Sequence, residues 1–275
     1  MNMVHLSVIP LAVWWSLLGV ASAVNPFENE IDSEQHDTHH PNPKAPASEL
    51  FAEVDILKLI NVTAKDPGVS LIEGPISKFP AYKFRLPYGN VPLPSSSVVT
   101  SVMNNTNGFT VVFIMRQQKN NLGTLLSVNS PGRITPWFQL TSNSRTGILS
   151  LKYRLDGSNK PRQLDWELPK HHGKSPLAAW KWLSVSVDFR TGFVRFDMDC
   201  QPSRFDHLDP NEKEDSRITI PQEALVYFRQ EPGRKKIFLG SVQVAKVLPY
   251  VVDGRLWSCL QIAENLAPEF RKPLL

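Results

Sequence analysis

Apolar and polar residues alternate with a period of two along much of the chain beyond residue 50, and that pattern predicts short strands. In Gly147 to Leu155, Leu149, Leu151, Tyr153 and Leu155 fall on one face while Ser150, Lys152 and Arg154 fall on the other. Asp156-Gly157 then opens a turn and Pro161 to Leu168 returns, which is a hairpin signal. Trp182 to Phe189 repeats the alternation, Arg190-Thr191-Gly192 turns the chain, and Val194, Phe196 and Met198 alternate with Arg195, Asp197 and Asp199 as far as Cys200. Phe109 to Met115 is apolar at nearly every position. That suits a central strand covered on both faces or a short buried helix; Thr110, Val111, Val112 and the flanking Gly108 favour the strand. Lys236 to Val247 supplies another strand pair or one long bent strand. Helical spacing occurs only near the domain start, where Leu50, Val54, Leu57 and Ile60 or Asn61 recur at three to four residues. Many short strands with frequent turns predict an all-β sandwich of two antiparallel sheets, with one short helix near residues 50–61.

The ends of the chain read differently. Leu6 to Val20 is mostly apolar and Ala21-Ser22-Ala23 follows as a cleavage site, so residues 1–23 read as a signal peptide. The alternative is an uncleaved anchor, against which Pro10 and the serines of the run argue. No second apolar run of spanning length follows, so no membrane span is expected after signal removal. Residues 24–49 carry Glu28, Glu30, Asp32, Glu34, Asp37 and Glu49 against Lys44 alone, a net of −5, and read as a disordered acidic leader. The signal holds no charge and the whole chain is +4, so the remainder carries +9, the difference between the two. The domain is assigned to residues 50–264 and a short tail to 265–275.

Cys200 and Cys259 are the two cysteines of the chain, and in an oxidising compartment they most simply form one disulfide. Asn61-Val62-Thr63 and Asn104-Asn105-Thr106 fit the N-glycosylation pattern, which makes Asn61 and Asn104 candidate carriers. A basic domain outside the cell meets sulfated glycosaminoglycans rather than nucleic acid.

Several segments resemble thrombospondin N-terminal-like modules. Glu53 to Leu59 is similar to their D-(L/I)-L-x-L start, and Trp180 to Val187 to their W-H-x-(L/V)-x-(L/V)-S-V strand. Asp199-Cys200 resembles the D-C that closes the next strand, and Ile237 to Gln243 the F-x-G-x-(I/L)-Q segment. Cys259 stands where the partner cysteine is expected. The resemblance implies a laminin G-like, concanavalin-like jelly-roll sandwich in a secreted matrix or signalling protein. It also implies binding of heparin or heparan sulfate and, in some members, of a cell-surface receptor or matrix protein. The collagen, EGF-like, von Willebrand C or coiled-coil segments that such modules usually head are not seen in the tail.

Sulfate recognition needs converging Arg and Lys side chains. The densest run is Arg229, Arg234, Lys235 and Lys236; Arg190 and Arg195 belong to the second hairpin, Lys152, Arg154 and Arg162 to the first, and Lys78, Lys83 and Arg85 form a further group. The expected function is a non-catalytic heparin or heparan sulfate module, with a protein-binding module for a receptor or growth-factor regulator as the alternative. Glu53-x-Asp55 and Asp165-Trp166-Glu167 are the nearest approaches to paired catalytic carboxylates, and both read better as structural. His171-His172 reads as loop. Asp206, Asp209, Glu212, Glu214 and Asp215 form an acidic patch, read as solvated, with rim-bound Ca²⁺ as the alternative. No cofactor is expected. Trp180 and Trp182 share one strand face and read as packing residues.

Overall fold

The computed structural model describes residues 52–86, 92–158, 160–168, 179–209, 216–252 and 258–259. The signal, the leader, the tail, His171-His172 and Glu212 to Asp215 lie outside the described residues.

The described residues contain thirteen strands and two short helices. The sheet of eight strands runs β11 (Arg204–His207), β10 (Phe193–Met198), β9 (Lys181–Asp188), β4 (Gly108–Gln117), β13 (Gly240–Leu248), β3 (Ala81–Phe84) and β2 (Val69–Ile72). Its eighth member, β1 (Val54–Asp55), pairs with the far end of β13. The sheet of five runs β12 (Leu225–Phe228), β5 (Leu122–Asn129), β6 (Phe138–Asn143), β7 (Ile148–Tyr153) and β8 (Arg162–Glu167). All pairings between these strands are antiparallel.

Period-two patterning decides what lies between the sheets. Leu126, Leu140, Leu151 and Leu164 line up across β5 to β8, and Val128, Phe138 and Tyr153 form the next row. They meet Phe109, Val111, Phe113 and Met115 of β4 and Leu183, Val185 and Val187 of β9 in one buried cluster. Rings join the layers: Phe109 meets Phe138 edge-on at 5.5 Å, and Trp166 stacks on Phe196 at 4.8 Å. Each such side chain removed from water contributes roughly 1.5–3 kcal/mol.

β4 is apolar on both faces because both are covered. Val112 and Ile114 point away from the main core into a second cluster with Trp180, Trp182, Val244 and Leu248. The two tryptophans are therefore packing residues on the same outer face, 3% and 4% exposed.

The expected helix over 50–61 is shorter than its spacing suggests. Val54 and Asp55 are drawn into the sheet opposite Val247 and Lys246, and only Ile56–Leu59 is helical (α1). Asp55 caps that turn by accepting from the Lys58 N–H at 3.1 Å. A second helix, α2 (Ser96–Met103), was not expected. Its Ser, Thr and Val content disfavours helix. Burial of Val99, Val102 and Met103 on one face, and the bond from the Val226 N–H to Ser96 Oγ at 3.0 Å, hold it instead.

The segment Lys236 to Val247 contributes one strand, not a pair. β13 is bent by an irregularity between Val242 and Val244. The extra residue, Gln243, clamps the loop above it, accepting from the Ile76 N–H at 2.9 Å and donating to the Ile76 and Phe79 carbonyls.

Cys200 and Cys259 form a disulfide, 59 residues apart in sequence. The Cys200 N–H also donates to the Ser258 carbonyl at 3.0 Å.

Candidate functional site

β12 runs on into a turn whose shape follows from its residues. The Glu231 N–H donates to the Lys235 carbonyl at 2.9 Å, and the Thr124 N–H donates to the Lys236 carbonyl at 2.8 Å. Pro232 and Gly233 form the apex; Gly233 has φ +74° and open space where a Cβ would stand. Arg234 and Lys236 adopt left-handed φ values of 63° and 44°. Gly233, Arg234, Lys235 and Lys236 are all exposed. Three consecutive cations thus occupy a protruding turn.

Arg229 does not join them. It is 2% exposed, its Nη2 donates to the Phe238 carbonyl at 2.8 Å, and its guanidinium lies 4.0 Å from the Phe84 ring centroid. A charge held this way has no reach to a ligand, so the expectation for Arg229 is corrected to a structural role.

The turn connects to the outer face of the five-stranded sheet. Lys236 Nζ lies 2.7 Å from Glu231 Oε1, which also accepts from Gln139 Nε2 at 3.0 Å. Gln139 Nε2 donates to Ser127 Oγ at 3.2 Å, and Ser127 Oγ donates to Asn129 Oδ1 at 2.5 Å. Lys152 stands directly opposite Gln139 on the neighbouring strand, and Gln163 opposite Lys152. Directly opposed residues bring their Cβ atoms to about 5 Å, so Lys152 sits one strand from this chain of bonds. Exposed Arg133 lies in the loop after β5. Arg154, expected on the outer face, is 6% exposed and stacks 3.2 Å from the Trp137 ring centroid. Its burial, and then the nearby Arg133 guanidinium, push its pKa down.

Arg190 lies in the turn between β9 and β10, and Arg195 lies on β10 of the other sheet. Arg190 is exposed and its Nε approaches Asp188 Oδ1 at 3.4 Å. Arg195 is bound into a network: Nε lies 2.8 Å from Asp197 Oδ2, Nη2 donates to Ser203 Oγ at 3.1 Å, and Nη1 to the Val252 carbonyl at 3.3 Å. Asp197 is fully buried and accepts from Ser203 as well. With its side chain 15% exposed, Arg195 neutralises Asp197. It also lines an open cleft of about 450 Å³ with Phe193, Phe205, Val251 and Val252. Of the remaining basic groups, Arg162 pairs with Asp209 at 2.8 Å, Arg85 donates to Ser70 Oγ at 3.4 Å, and Lys78 and Arg85 are exposed.

Of the carboxylates considered for catalysis, Glu53, Asp55 and Asp165 are held in hydrogen bonds, and Glu167 is exposed at the end of β8. Glu53 accepts from Lys246 Nζ at 3.1 Å and from the Tyr250 hydroxyl at 2.7 Å, while Asp55 caps α1. Asp165 accepts from Ser150 Oγ and Gln163 Nε2 on an exposed face. Asp206 accepts from Trp166 Nε1 at 2.7 Å. Among the described residues no group of three or more His, Cys, Asp or Glu side chains could hold a metal ion.

The two sequons differ. Asn61 is exposed at the end of α1. The Asn104 side chain is held at both ends by one residue: Nδ2 donates to the Ile220 carbonyl at 2.8 Å, and Oδ1 accepts from the Ile220 N–H at 2.9 Å.

No family model matches the chain. Among curated proteins, it is 30% identical over 137 residues to Thrombospondin-2 of Gallus gallus, covering 48% of this chain and 11% of that one. The human Thrombospondin-2 is 29% identical over 149 residues, 54% of this chain and 12% of that protein. The chain thus spans about a tenth of the length of the relatives it matches. Among solved structures, the Ruminococcus gnavus IT-sialidase CBM40 bound to alpha2,6 sialyllactose superposes with a TM-score of 0.51 at 14% identity, over 75% of this chain and 96% of that one. Its complex with alpha2,3 sialyllactose gives 0.50 at 15%, over 62% and 89%. The fold is a jelly-roll sandwich of two antiparallel sheets, as expected. The Thrombospondin-2 matches bear out the thrombospondin N-terminal-like domain that the sequence motifs indicated.

Proposed function

We propose that this domain is a non-catalytic extracellular module that binds sulfated glycosaminoglycans, heparan sulfate foremost, through the cationic turn at Arg234, Lys235 and Lys236. The observation that carries the reading is the exposure of three consecutive cations at a turn whose inner side is tied to a polar sheet face bearing Lys152. A sulfated chain laid along this turn meets point charges from Lys and a planar donor from Arg. The Thrombospondin-2 similarity supports an extracellular setting. Among the described residues, no helix is long and apolar enough to cross a membrane.

The test is a heparin-affinity salt gradient on the secreted protein. Three lost contacts at roughly 0.5–1 kcal/mol each weaken binding about 10- to 100-fold. R234A/K235A/K236A therefore elutes at lower salt with an unchanged circular dichroism spectrum, whereas R190A in the turn between β9 and β10 elutes with the wild type. Unchanged elution of the folded triple variant removes the turn as the site.

A second reading, a protein-binding module, is favoured by one feature. Phe205 on edge strand β11 is 60% exposed beside the cleft lined by Phe193 and Arg195. Capture of a protein partner that resists salt and is lost in F205A supports that reading.

A further inference from the structure

We infer that the same turn is a cleavage site for trypsin-like serine proteases, and that the cut product remains one covalently joined, folded module. Three observations converge on it. First, Arg234, Lys235 and Lys236 are consecutive and exposed, and each is a side chain that a protease pocket floored by a carboxylate accepts. Second, the turn is held by few contacts beside a sheet strand. The Glu231–Lys235 bridge, the Lys236–Glu231 ion pair and the Thr124 N–H bond to the Lys236 carbonyl hold it, and two of its non-glycine residues sit at left-handed φ, where each costs energy that opening releases. Local opening into the extended form a protease needs is therefore inexpensive relative to unfolding a sheet. Third, the cut lies between elements that are anchored separately. β12 is paired with β5 in one sheet, and β13 is paired with β4, β3 and β1 in the other.

The chemistry is hydrolysis of the peptide bond after Arg234, Lys235 or Lys236. Water adds its oxygen to the carbonyl carbon, the C–N bond breaks, and the amine leaves carrying a proton. The products are a new carboxylate and a new ammonium group. Cys200 precedes the cut and Cys259 follows it, so the disulfide keeps the pieces together. The new carboxylate and the new ammonium both stand within the cation cluster, and the side chains a protease pocket takes are the ones a polyanion would engage. Proteolysis and polyanion binding thus compete for the same three side chains; this competition, unlike the cleavage, rests on the glycosaminoglycan reading.

Limited trypsin digestion of the secreted full chain, sampled as the first cut appears, tests both parts. Expected are one band without reductant, two bands with it, and a new N-terminus at Lys235, Lys236 or Ile237. R234Q/K235Q/K236Q slows that cut at least tenfold, and heparin slows it in the wild type. A first cut elsewhere while the turn stays whole overturns the cleavage site. Collapse of the circular dichroism spectrum on cutting overturns the folded product. Cleavage at the turn at the same rate with and without heparin leaves the cleavage site standing and overturns the glycosaminoglycan reading.

Discussion

Asn104 commits both polar ends of its side-chain amide to Ile220, a residue 116 positions away. Two such bonds stabilise by about 1 kcal/mol each, so N104A is expected to cost roughly 2 kcal/mol in urea unfolding. The clamp also bears on glycosylation. Donor and acceptor face the same partner, so the hydrogen used is the one on the carbonyl side of the amide. An N-linked sugar in its trans amide replaces that hydrogen, so glycan and clamp exclude one another. Glycopeptide mapping of the secreted protein is expected to find Asn61 occupied and Asn104 bare; a glycan on most copies of Asn104 contradicts this. The pattern N-x-T makes the two positions equal, and a partner so distant in sequence separates them. Arg229 teaches the same lesson. Val226 and Phe228 alternate inward, which puts Arg229 outward by parity. Its φ of +63° breaks the parity and turns the guanidinium onto Phe84.

Elements with strict alternation were readable from the chain alone. β7, β9 and β10 fall where Leu149-Leu151-Tyr153, Leu183-Val185-Val187 and Val194-Phe196-Met198 place them. α2 was not readable, because Ser-Ser-Val-Val-Thr-Ser-Val-Met carries no local helix preference and gains its shape from packing. The kink of β13 was half readable: its length was evident, while the bulge depends on Gln243 finding the 76–79 loop. The cationic turn was legible as a charge run, but which of its members reach solvent was decided by tertiary contacts. The disulfide belongs to this scale as well, since it joins the end of β10 to the segment after β13. Closing a loop of 59 residues stabilises by about 4 kcal/mol in the chain-entropy model. C200S/C259S is expected to lose most of that in urea unfolding. A loss below about 1 kcal/mol argues that the loop is already restrained in the unfolded chain.

Across the whole molecule the sheets are joined by polar as well as apolar contacts. Tyr153 of the five-stranded sheet donates its hydroxyl to the Leu208 carbonyl beyond β11 at 2.7 Å. Burial first, and then the Asp209 and Asp206 carboxylates against the opposing effect of Arg162, push its pKa up to about 12 from 10.0. Tyr250 is pushed up too, by burial and by its bond to Glu53. The unfolded chain releases such protons near pH 10, before the folded one does. Their contribution is therefore whole below pH 10 and is lost as pH climbs toward 12. Urea midpoints are expected to fall across that window, and Y153F is expected to lose less over the same interval. An equal fall in Y153F assigns the loss to other groups.

The placement of the cystine has a mechanical consequence. Tension applied through residues after Cys259 passes across the sulfur–sulfur bond into Cys200 and so to β10. β11, β12, the basic turn and β13 all lie on the slack side of that shortcut. A tethered copy severed at Arg234 should therefore bear load as an intact one does.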